Sequence, residues 1–500
     1  MPLPDLSALR SEISDLQPVR SVGRVCSVQG NLIGVSGLSD VARMGDRVHV
    51  HGRDGQSRSG EIMRISARSA TILPDSSPDG IALGDRVSLG PPPQMWPCEG
   101  WVGRIIDPFG NPLDGRPLAR GGQHRPLRCD PPAPARRRGL GDRLETGMSV
   151  FNTLLPIVRG QRIGLFAGSG VGKSNLLGHL GRNMQADIVV FALIGERGRE
   201  LREFVEHVLG PEGMARSVIV AATSDQSPIV RRRCAWAAMC VAEHFRDQGR
   251  QVLFLADSIT RFAEAHREVA TASGEMPALR GFPASTAHMV MALCERAGPG
   301  VGAAGDITAL FSVLVAGSDM DEPVADILRG VLDGHVILDR AIAERGRYPA
   351  IDLLRSVSRS LPRAADDAEN AMILRTRSLM GTYARSETMI RAGLYAEGTD
   401  PQLDQAIRIW PELDAFLAEP ETVSAQNSFD RLSLILRRAG NGMAGAKSSS
   451  SMPSDTAARA VPAKGTAPAI RTQPGKTGGS LSHAKPRAPS PMSARIRGMA

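Results

Sequence analysis

The sequence predicts an α/β protein whose central domain is preceded by a small β-barrel and followed by a helical domain. Residues 19–92 read as short strands separated by turn residues, which is typical of a closed barrel. Residues 93–360 alternate helices with strands that are apolar on both faces, as in a helix-covered parallel sheet. Residues 361–440 have a helical pattern, in which Asp400-Pro401 opens one helix. The clearest central strands are predicted at residues 162–167, 188–195, 217–223, 252–256 and 307–315.

The net charge of +8 resides in the last 60 residues of the 500-residue chain. Residues 441–500 hold nine Lys and Arg and one acidic residue, Asp455, whereas the rest of the chain carries equal numbers of basic and acidic groups. Gly, Ala, Ser and Pro make up 35 of these 60 residues, so burial cannot offset the entropy of ordering them. We therefore predict a disordered basic tail, and the charge of the remaining domains gives no indication of nucleic-acid binding.

The cysteines and the N-terminus indicate a cytoplasmic protein. The six cysteines are scattered without a CxxC pair, which is typical of reduced thiols. Uncharged stretches are shorter than the roughly 18 residues needed to cross a bilayer. Charged residues also interrupt the N-terminal segment, which argues against a secretory signal.

Residues 3–17 have the apolar spacing of a short amphipathic helix that Pro18 would end. Leu6, Leu9 and Ile13 recur at three- and four-residue steps. Two interpretations remain open: the helix packs on its own domain, or residues 1–18 dock on a partner protein or a membrane surface.

The strongest functional signal is the segment Ala167-Gly-Ser-Gly-Val-Gly-Lys-Ser174, which lies between a predicted strand and an amphipathic helix. In this context a glycine-rich loop wraps its backbone N–H groups around phosphates beside a positive helix N-terminus. We expect Lys173 to reach the β- and γ-phosphates of a nucleotide and the Ser174 hydroxyl to ligate Mg²⁺. The predicted phosphate-binding residues are Gly168, Ser169, Gly170, Val171, Gly172, Lys173, Ser174 and Asn175.

Two carboxylates follow other predicted strands, at the sheet edge where ligands bind in open α/β folds. Asp257 ends the apolar strand at residues 252–256 and is predicted to hold Mg²⁺, directly or through water. Glu196 follows the strand at residues 188–195 and is predicted to orient and polarise the water that attacks the γ-phosphate. Glu200, slightly further along, is the alternative candidate for this base.

Taken together, five segments resemble the flagellum-specific export ATPase family, at residues 164–174, 192–200, 223–228, 245–262 and 332–340. That family is related to injectisome ATPases and, more distantly, to the catalytic subunits of rotary ATP synthases. The resemblance covers roughly residues 20–435. It implies a RecA-like P-loop nucleotide domain and a homohexameric ring that hydrolyses ATP with Mg²⁺ to energise the export of flagellar proteins.

The resemblance also implies functional residues outside the glycine-rich loop. Arg359 matches the arginine finger that the family supplies in trans to the γ-phosphate of a neighbouring subunit. Tyr348 matches the aromatic residue that packs on adenine, and Tyr395 is a second candidate for the adenine site. Arg197 and Arg261 match basic residues near the phosphates.

Two alternatives to flagellar export remain. Injectisome ATPases, which secrete virulence effectors, share nearly all of these motifs. Hexameric nucleic-acid motors share the nucleotide domain, but they stack bases on aromatic side chains, and the first aromatic residue of this chain is Trp96. We therefore expect no specific nucleic acid as a partner.

The resemblance finally implies partners and a location. The expected partners are a stator or regulator protein at the N-terminal helix, an export gate, a stalk protein and chaperone–cargo complexes. Peripheral contact with an anionic membrane is a further expectation, since the basic tail would be attracted to it electrostatically. These partners place the protein in the cytoplasm, at the inner face of the inner membrane.

Overall fold

The structure, a computed structural model, describes residue 13, residues 19–315 and residues 320–440 of the chain. The predicted helix at residues 3–17, apart from Ile13, and the predicted tail at residues 441–500 lie outside the described residues. In the described part of the chain, no helix combines the length and the apolar character that crossing a bilayer requires.

Six antiparallel strands form a closed barrel at the N-terminal end of the described chain. They are β1 (Val22–Gln29), β2 (Leu32–Ser36), β3 (Arg47–His51), β4 (Ser57–Ile65), β5 (Ala70–Pro74) and β6 (Arg86–Leu89). The strand order around the barrel is β1–β2–β5–β4–β3–β6. Alternate side chains point inward, so that Val48 and Val50 of β3 are buried together with Ile33, Val35 and Ile72. The predicted barrel is confirmed.

The central sheet has eight strands. They are β8 (Arg104–Ile106), β10 (Arg162–Ala167), β11 (Ile188–Glu196), β12 (Ser217–Thr223), β13 (Val252–Asp257), β14 (Ile307–Leu314), β15 (Gly334–Leu338) and β16 (Val357–Ser358). Their order is β16–β15–β10–β14–β13–β11–β12–β8, and every neighbouring pair is parallel except β15–β16. A separate two-stranded ribbon pairs β7 (Gln94–Met95) with β9 (Arg125–Pro126). The five strands predicted in this domain are present, and their ends agree within one residue.

Helices cover both faces of the central sheet. One apolar core contains side chains from α1 (Ser149–Asn152), α2 (Lys173–Asn183), α3 (Gly198–Glu203), a π-helical turn (Phe204–Leu209), α4 (Gly210–Met214) and α9 (Arg340–Glu344). The core on the other face contains side chains from α5 (Pro228–Asp247), α6 (Ile259–Ala272), α7 (Ser285–Arg296) and α8 (Pro323–Val331). The strands are therefore buried from both sides, which explains their nearly continuous apolar sequences.

Three helices follow the sheet: α10 (Asp367–Arg391), α11 (Pro401–Phe416) and α12 (Ala425–Gly440). Asp366 and Glu369 form a capping box at the start of α10. Asp400 caps α11 by accepting hydrogen bonds from the backbone N–H groups of the first turn, with Pro401 as the first helical residue. The predicted start of this helix is thus confirmed.

The barrel is attached to the sheet domain by a polar and an apolar contact. The Glu61 carboxylate on β4 accepts a hydrogen bond of 3.1 Å from the Arg232 guanidinium on α5, and both side chains are almost fully buried. Met63 and Leu73 of the barrel pack in one cluster with Ile229 of α5 and Val269 of α6. Since a buried charge without its partner is costly, moving the barrel away from α5 would be unfavourable.

A second buried ion pair, between Glu243 on α5 and Arg296 on α7, leads to a stability prediction. Both side chains are 3% exposed, and two hydrogen bonds of 2.7 and 2.9 Å join them. Glu243→Ala would leave the guanidinium buried without its carboxylate, so the free energy of unfolding should fall by about 3–5 kcal/mol. Urea unfolding followed by circular dichroism measures this loss.

The matched control for Glu243→Ala is Glu206→Ala. Glu206 pairs with Arg202 on the protein surface, where both side chains are exposed. Because solvent screens such pairs, the control variant should unfold at nearly the wild-type urea concentration. Equal unfolding midpoints for the two variants would contradict the prediction.

Candidate active site

The glycine-rich loop connects the carboxyl end of β10 to the first turn of α2. Gly170 and Gly172 have φ angles of +79° and +86°, a backbone conformation that other residues rarely adopt. The loop borders a cavity of about 720 Å³. Its lining includes Gly168, Ser169, Gly170, Gly172, Lys173, Ser174 and Asn175. Val171, the remaining predicted residue, points into the core and is buried.

Lys173 and Asp257 form an ion pair between this loop and the end of β13. Both side chains are largely buried, at 11% and 6% exposure. The contact brings together two residues that the sequence places 84 positions apart. The same Asp257 oxygen, Oδ1, also accepts a hydrogen bond of 2.8 Å from the hydroxyl of Ser312 on β14.

Glu196 ends β11 and lines the same cavity as the glycine-rich loop. The pKa of this carboxyl is raised to about 7, mainly by burial and next by the negative charge of Asp257, against the opposing effect of Lys173. A hydrogen bond with Glu200 acts in the same direction as burial. A carboxylate whose pKa lies near neutral pH is well matched to accept a proton from water.

Two arginines add positive charge to this cavity. Arg197 and Arg261 both line it, beside Glu200 and Glu264. Arg261, in the first turn of α6, donates a hydrogen bond of 2.9 Å to Glu264. Arg197 is exposed and lies 3.4 Å from Glu200. With Lys173, three cations therefore line the cavity, together with Glu196 and Glu200 but not Asp257.

Tyr348 lies directly against the glycine-rich loop. A Cβ atom placed on Gly172 would come within 3.0 Å of Cδ1 of the Tyr348 ring. Tyr348 is half exposed and, like Tyr395, is not among the residues that line the cavity. An aromatic side chain exposed at this place is available for stacking.

Tyr395 and Arg359 lie elsewhere. The Tyr395 hydroxyl donates to the Asp404 carboxylate at 2.7 Å, between α10 and α11, and the residue does not line the cavity. Arg359 follows β16 and is exposed, and its guanidinium donates to the carbonyl of Arg329 at 3.1 Å. Arg359 also does not line the cavity of its own chain.

The structure adds residues that the sequence analysis did not select. Thr260 and Glu264, on the first turns of α6, line the cavity. Ser312 is fully buried and contacts Asp257 from the neighbouring strand. A hydroxyl within the otherwise apolar second half of β14 is a signal that the sequence did contain.

The raised pKa of Glu196 predicts a pH dependence. Below about pH 7 the carboxyl is protonated and cannot accept a proton, whereas above this value it is ionised. We therefore expect kcat/KM for nucleotide hydrolysis to rise about tenfold per pH unit up to about pH 7 and then to level off. Initial rates measured from about pH 5.5 to about pH 8.5 test this profile, and a flat profile across that range would contradict it.

A phosphate-binding loop, an acidic residue on a nearby strand and a carboxylate with a near-neutral pKa define the chain as a P-loop nucleoside triphosphatase. Residues 147–358 match the model of the ATP synthase alpha/beta family, nucleotide-binding domain. Residues 365–433 match the model of the T3SS EscN ATPase C-terminal domain. The two matches divide the chain where the sheet domain gives way to the terminal helices.

Similar proteins align with more than four fifths of this chain. The flagellum-specific ATP synthase of Caulobacter vibrioides is 42% identical over 86% of this chain and 99% of its own length. That of Salmonella typhimurium is 39% identical over 86% of this chain and 97% of its own. The assembled ATPase EscN of the enteropathogenic E. coli type III secretion system has a TM-score of 0.77, at 35% identity over 83% of this chain and 100% of its own.

The chain belongs to the family of flagellum-specific ATP synthases. The family inferred from the five sequence segments is thereby confirmed, as are the ATPase class and the fold of barrel, nucleotide domain and C-terminal helices.

Proposed function

We propose that this protein hydrolyses ATP, with Mg²⁺, to energise the export of flagellar proteins through a type III secretion apparatus. The observation that carries the hydrolytic part is the cavity shared by Lys173 and Glu196, a phosphate-binding cation and a carboxylate of raised pKa. The flagellar part is supported by relatives that are named flagellum-specific and align over almost their full lengths.

The residues present fit a nucleotide-bound Mg²⁺. This ion keeps several waters and takes one or two protein ligands in addition to phosphate oxygens. The Ser174 hydroxyl and the Asp257 carboxylate are hard oxygen donors, and both line a second cavity of about 230 Å³ that also contains Glu196. When bound, Mg²⁺ would neutralise negative charge on the β- and γ-phosphates.

The remaining chemistry is assigned to side chains of the chain itself. Lys173 would bind oxygens of the β- and γ-phosphates in place of the Asp257 carboxylate that it contacts in this structure. Glu196 would accept the proton of the attacking water, and Arg197 and Arg261 would attract the phosphates electrostatically. Tyr348 would stack on the adenine ring, and Tyr395 remains the second candidate for that role.

The proposed assembly is a homohexamer in which Arg359 completes the site of the neighbouring subunit. EscN has been solved as an assembled ATPase, and a second structure shows EscN with its central stalk EscO. By similarity we propose a stalk partner for this chain, together with a stator at the N-terminal helix, an export gate and chaperone–cargo complexes. With these partners, the proposed location is the cytoplasm, at the inner face of the inner membrane.

The functional proposal is tested in cells that lack this chain. Expression of the wild-type protein should restore hook and filament proteins to the culture medium, and flagella to the cell surface. Restored secretion of virulence effectors without flagellar proteins would instead support the injectisome alternative and contradict the proposal.

Lys173→Ala should reduce the rate of ATP hydrolysis by about 10²- to 10³-fold, because one preorganised cation on the transferred phosphate is lost. The same variant should fail to restore export in the cellular test. Phosphate release from purified protein measures the rate. Arg202→Ala is the control, since it removes an exposed cation outside the cavity and should hydrolyse ATP at the wild-type rate. A Lys173→Ala enzyme with more than about a tenth of the wild-type rate would contradict the assignment.

A further inference from the structure

Asp257 contacts a buried hydroxyl group, that of Ser312, which does not belong to the glycine-rich loop and has no role in the proposed hydrolysis. Ser312 lies on β14, between β10 with the glycine-rich loop and β13 with Asp257. Ala256 pairs with Phe311, so the next residues along the two parallel strands, Asp257 and Ser312, are neighbours at the carboxyl edge of the sheet. Ser312 is fully buried, and its hydroxyl donates a hydrogen bond of 2.8 Å to Asp257 Oδ1.

The Ser312 hydroxyl is fully buried, on the face of β14 that carries the contact to Asp257. Its neighbours along β14 are Phe311 and Val313, which are buried in the core on the opposite face of the sheet. Burying a hydroxyl is unfavourable unless it makes a hydrogen bond, and the bond that compensates it here ends on Asp257. The end of β14 is itself held in place, since the Leu314 N–H donates a hydrogen bond of 2.9 Å to the Thr260 hydroxyl on α6.

The two oxygens of the Asp257 carboxylate differ in their contacts. Oδ1 is engaged by both Lys173 and Ser312, whereas Oδ2 receives no hydrogen bond from the described part of the chain. Lys173 has a flexible side chain and is needed at the phosphates once a nucleotide binds. Ser312 belongs to a strand in the middle of the sheet and remains as the fixed donor to Oδ1.

We propose that Ser312 is a positioning residue for the metal-binding carboxylate: its hydroxyl holds Asp257 by Oδ1 and leaves Oδ2 directed to the hydrated Mg²⁺ of the nucleotide complex. This inference rests on the proposed function, because it assumes that Asp257 acts on Mg²⁺. Hydrogen bonds to ligating carboxylates orient them, and their removal typically weakens metal binding about 10- to 100-fold. Ser312 therefore contributes to Mg²⁺ affinity without touching the nucleotide.

The test measures binding of the fluorescent nucleotide N-methylanthraniloyl-ADP to the full-length protein at increasing Mg²⁺ concentration and, separately, in EDTA. For Ser312→Ala, the Mg²⁺ concentration that gives half of the Mg²⁺-dependent gain in affinity should rise about tenfold. Affinity in EDTA should stay at the wild-type value, since the glycine-rich loop is unchanged.

The matched control is Ser217→Ala, the same substitution at an equally buried serine of the same sheet. The Ser217 hydroxyl donates to the Gly213 carbonyl at 2.6 Å, away from the site, so its loss should leave the Mg²⁺ dependence unchanged. Thermal unfolding of both variants gives the structural cost of losing one buried hydroxyl.

Two results would overturn the inference: a wild-type Mg²⁺ dependence in Ser312→Ala, or an equal loss of affinity with Mg²⁺ and in EDTA. The second result would assign Ser312 a merely structural role. This test measures binding, so it can be carried out even if the protein hydrolyses no ATP. A wild-type protein that binds nucleotide without hydrolysing it would contradict the proposed function but not the inference about Ser312.

Discussion

Glu196→Gln should lower the rate of ATP hydrolysis by about 10³-fold while nucleotide affinity stays near the wild-type value. An amide has nearly the shape of the carboxylate and can still orient a water molecule, but it cannot accept the proton. The substitution also removes the group whose pKa lies near 7, so the residual activity should lose the rise with pH that is expected of the wild-type enzyme. Single-turnover hydrolysis and equilibrium binding of labelled nucleotide separate the two effects.

Glu200→Gln is the matched control for this experiment. Glu200 lines the same cavity and lies further out than Glu196, with its side chain 45% exposed. The Glu200→Gln variant should hydrolyse ATP at a rate within about tenfold of that of the wild type. The reverse result, a fast Glu196→Gln enzyme and a slow Glu200→Gln enzyme, would move the role of base to Glu200.

Arg359→Ala should lower turnover on the order of 10³-fold, the lower end of the range for arginine fingers. Arg359 is exposed and lies outside the cavity of its own chain, so in the proposed ring the loss would arise at a neighbouring subunit. Hydrolysis per wild-type subunit should accordingly rise with protein concentration as subunits assemble. Steady-state rates over a dilution series, with assembly followed by light scattering, measure both quantities.

Mixing two inactive variants tests the trans arrangement directly. An Arg359→Ala subunit keeps an intact phosphate loop, and a Lys173→Ala subunit keeps an intact finger. Mixed assemblies should therefore regain activity that neither variant has alone. Arg355→Ala is the control, since Arg355 is an exposed arginine of the same segment that lies 3.7 Å from Asp339 of its own chain. Inactive mixtures, or a fully active and concentration-independent monomer, would exclude the arrangement.

Most of the fold could be predicted from local sequence patterns, because its long elements carry strong periodic signals. β13 is buried at every position, and its sequence is correspondingly apolar up to Asp257. β8 did not stand out, since it has three residues and owes its place to pairing with β12. The position of β14 between β10 and β13 was also not predictable, because strand order is decided by packing of segments far apart in the chain.

The candidate site likewise has parts that local sequence patterns predict and parts that depend on the tertiary fold. The glycine-rich loop was identified because its residues are contiguous, and their conformation follows from the glycines at positive φ. Asp257 and Glu196 were identified because each ends or follows an apolar strand. The pKa of Glu196 depends on burial and on Asp257, 61 positions later, and the contact of Ser312 with Asp257 depends on strand order. Neither could be inferred from a local pattern.

The position of β14 also determines the size of the site. Strands of a sheet lie about 4.8 Å apart, so the strands that end at the glycine-rich loop and at Asp257 are separated by two such intervals, about 10 Å. This separation can differ only by whole inter-strand intervals, because it depends on the number of strands in between. With β14 between β10 and β13, it is two intervals. The width available to a chain of phosphates and its cation is therefore set by backbone hydrogen bonding, and side-chain substitutions can adjust contacts within that width without altering it.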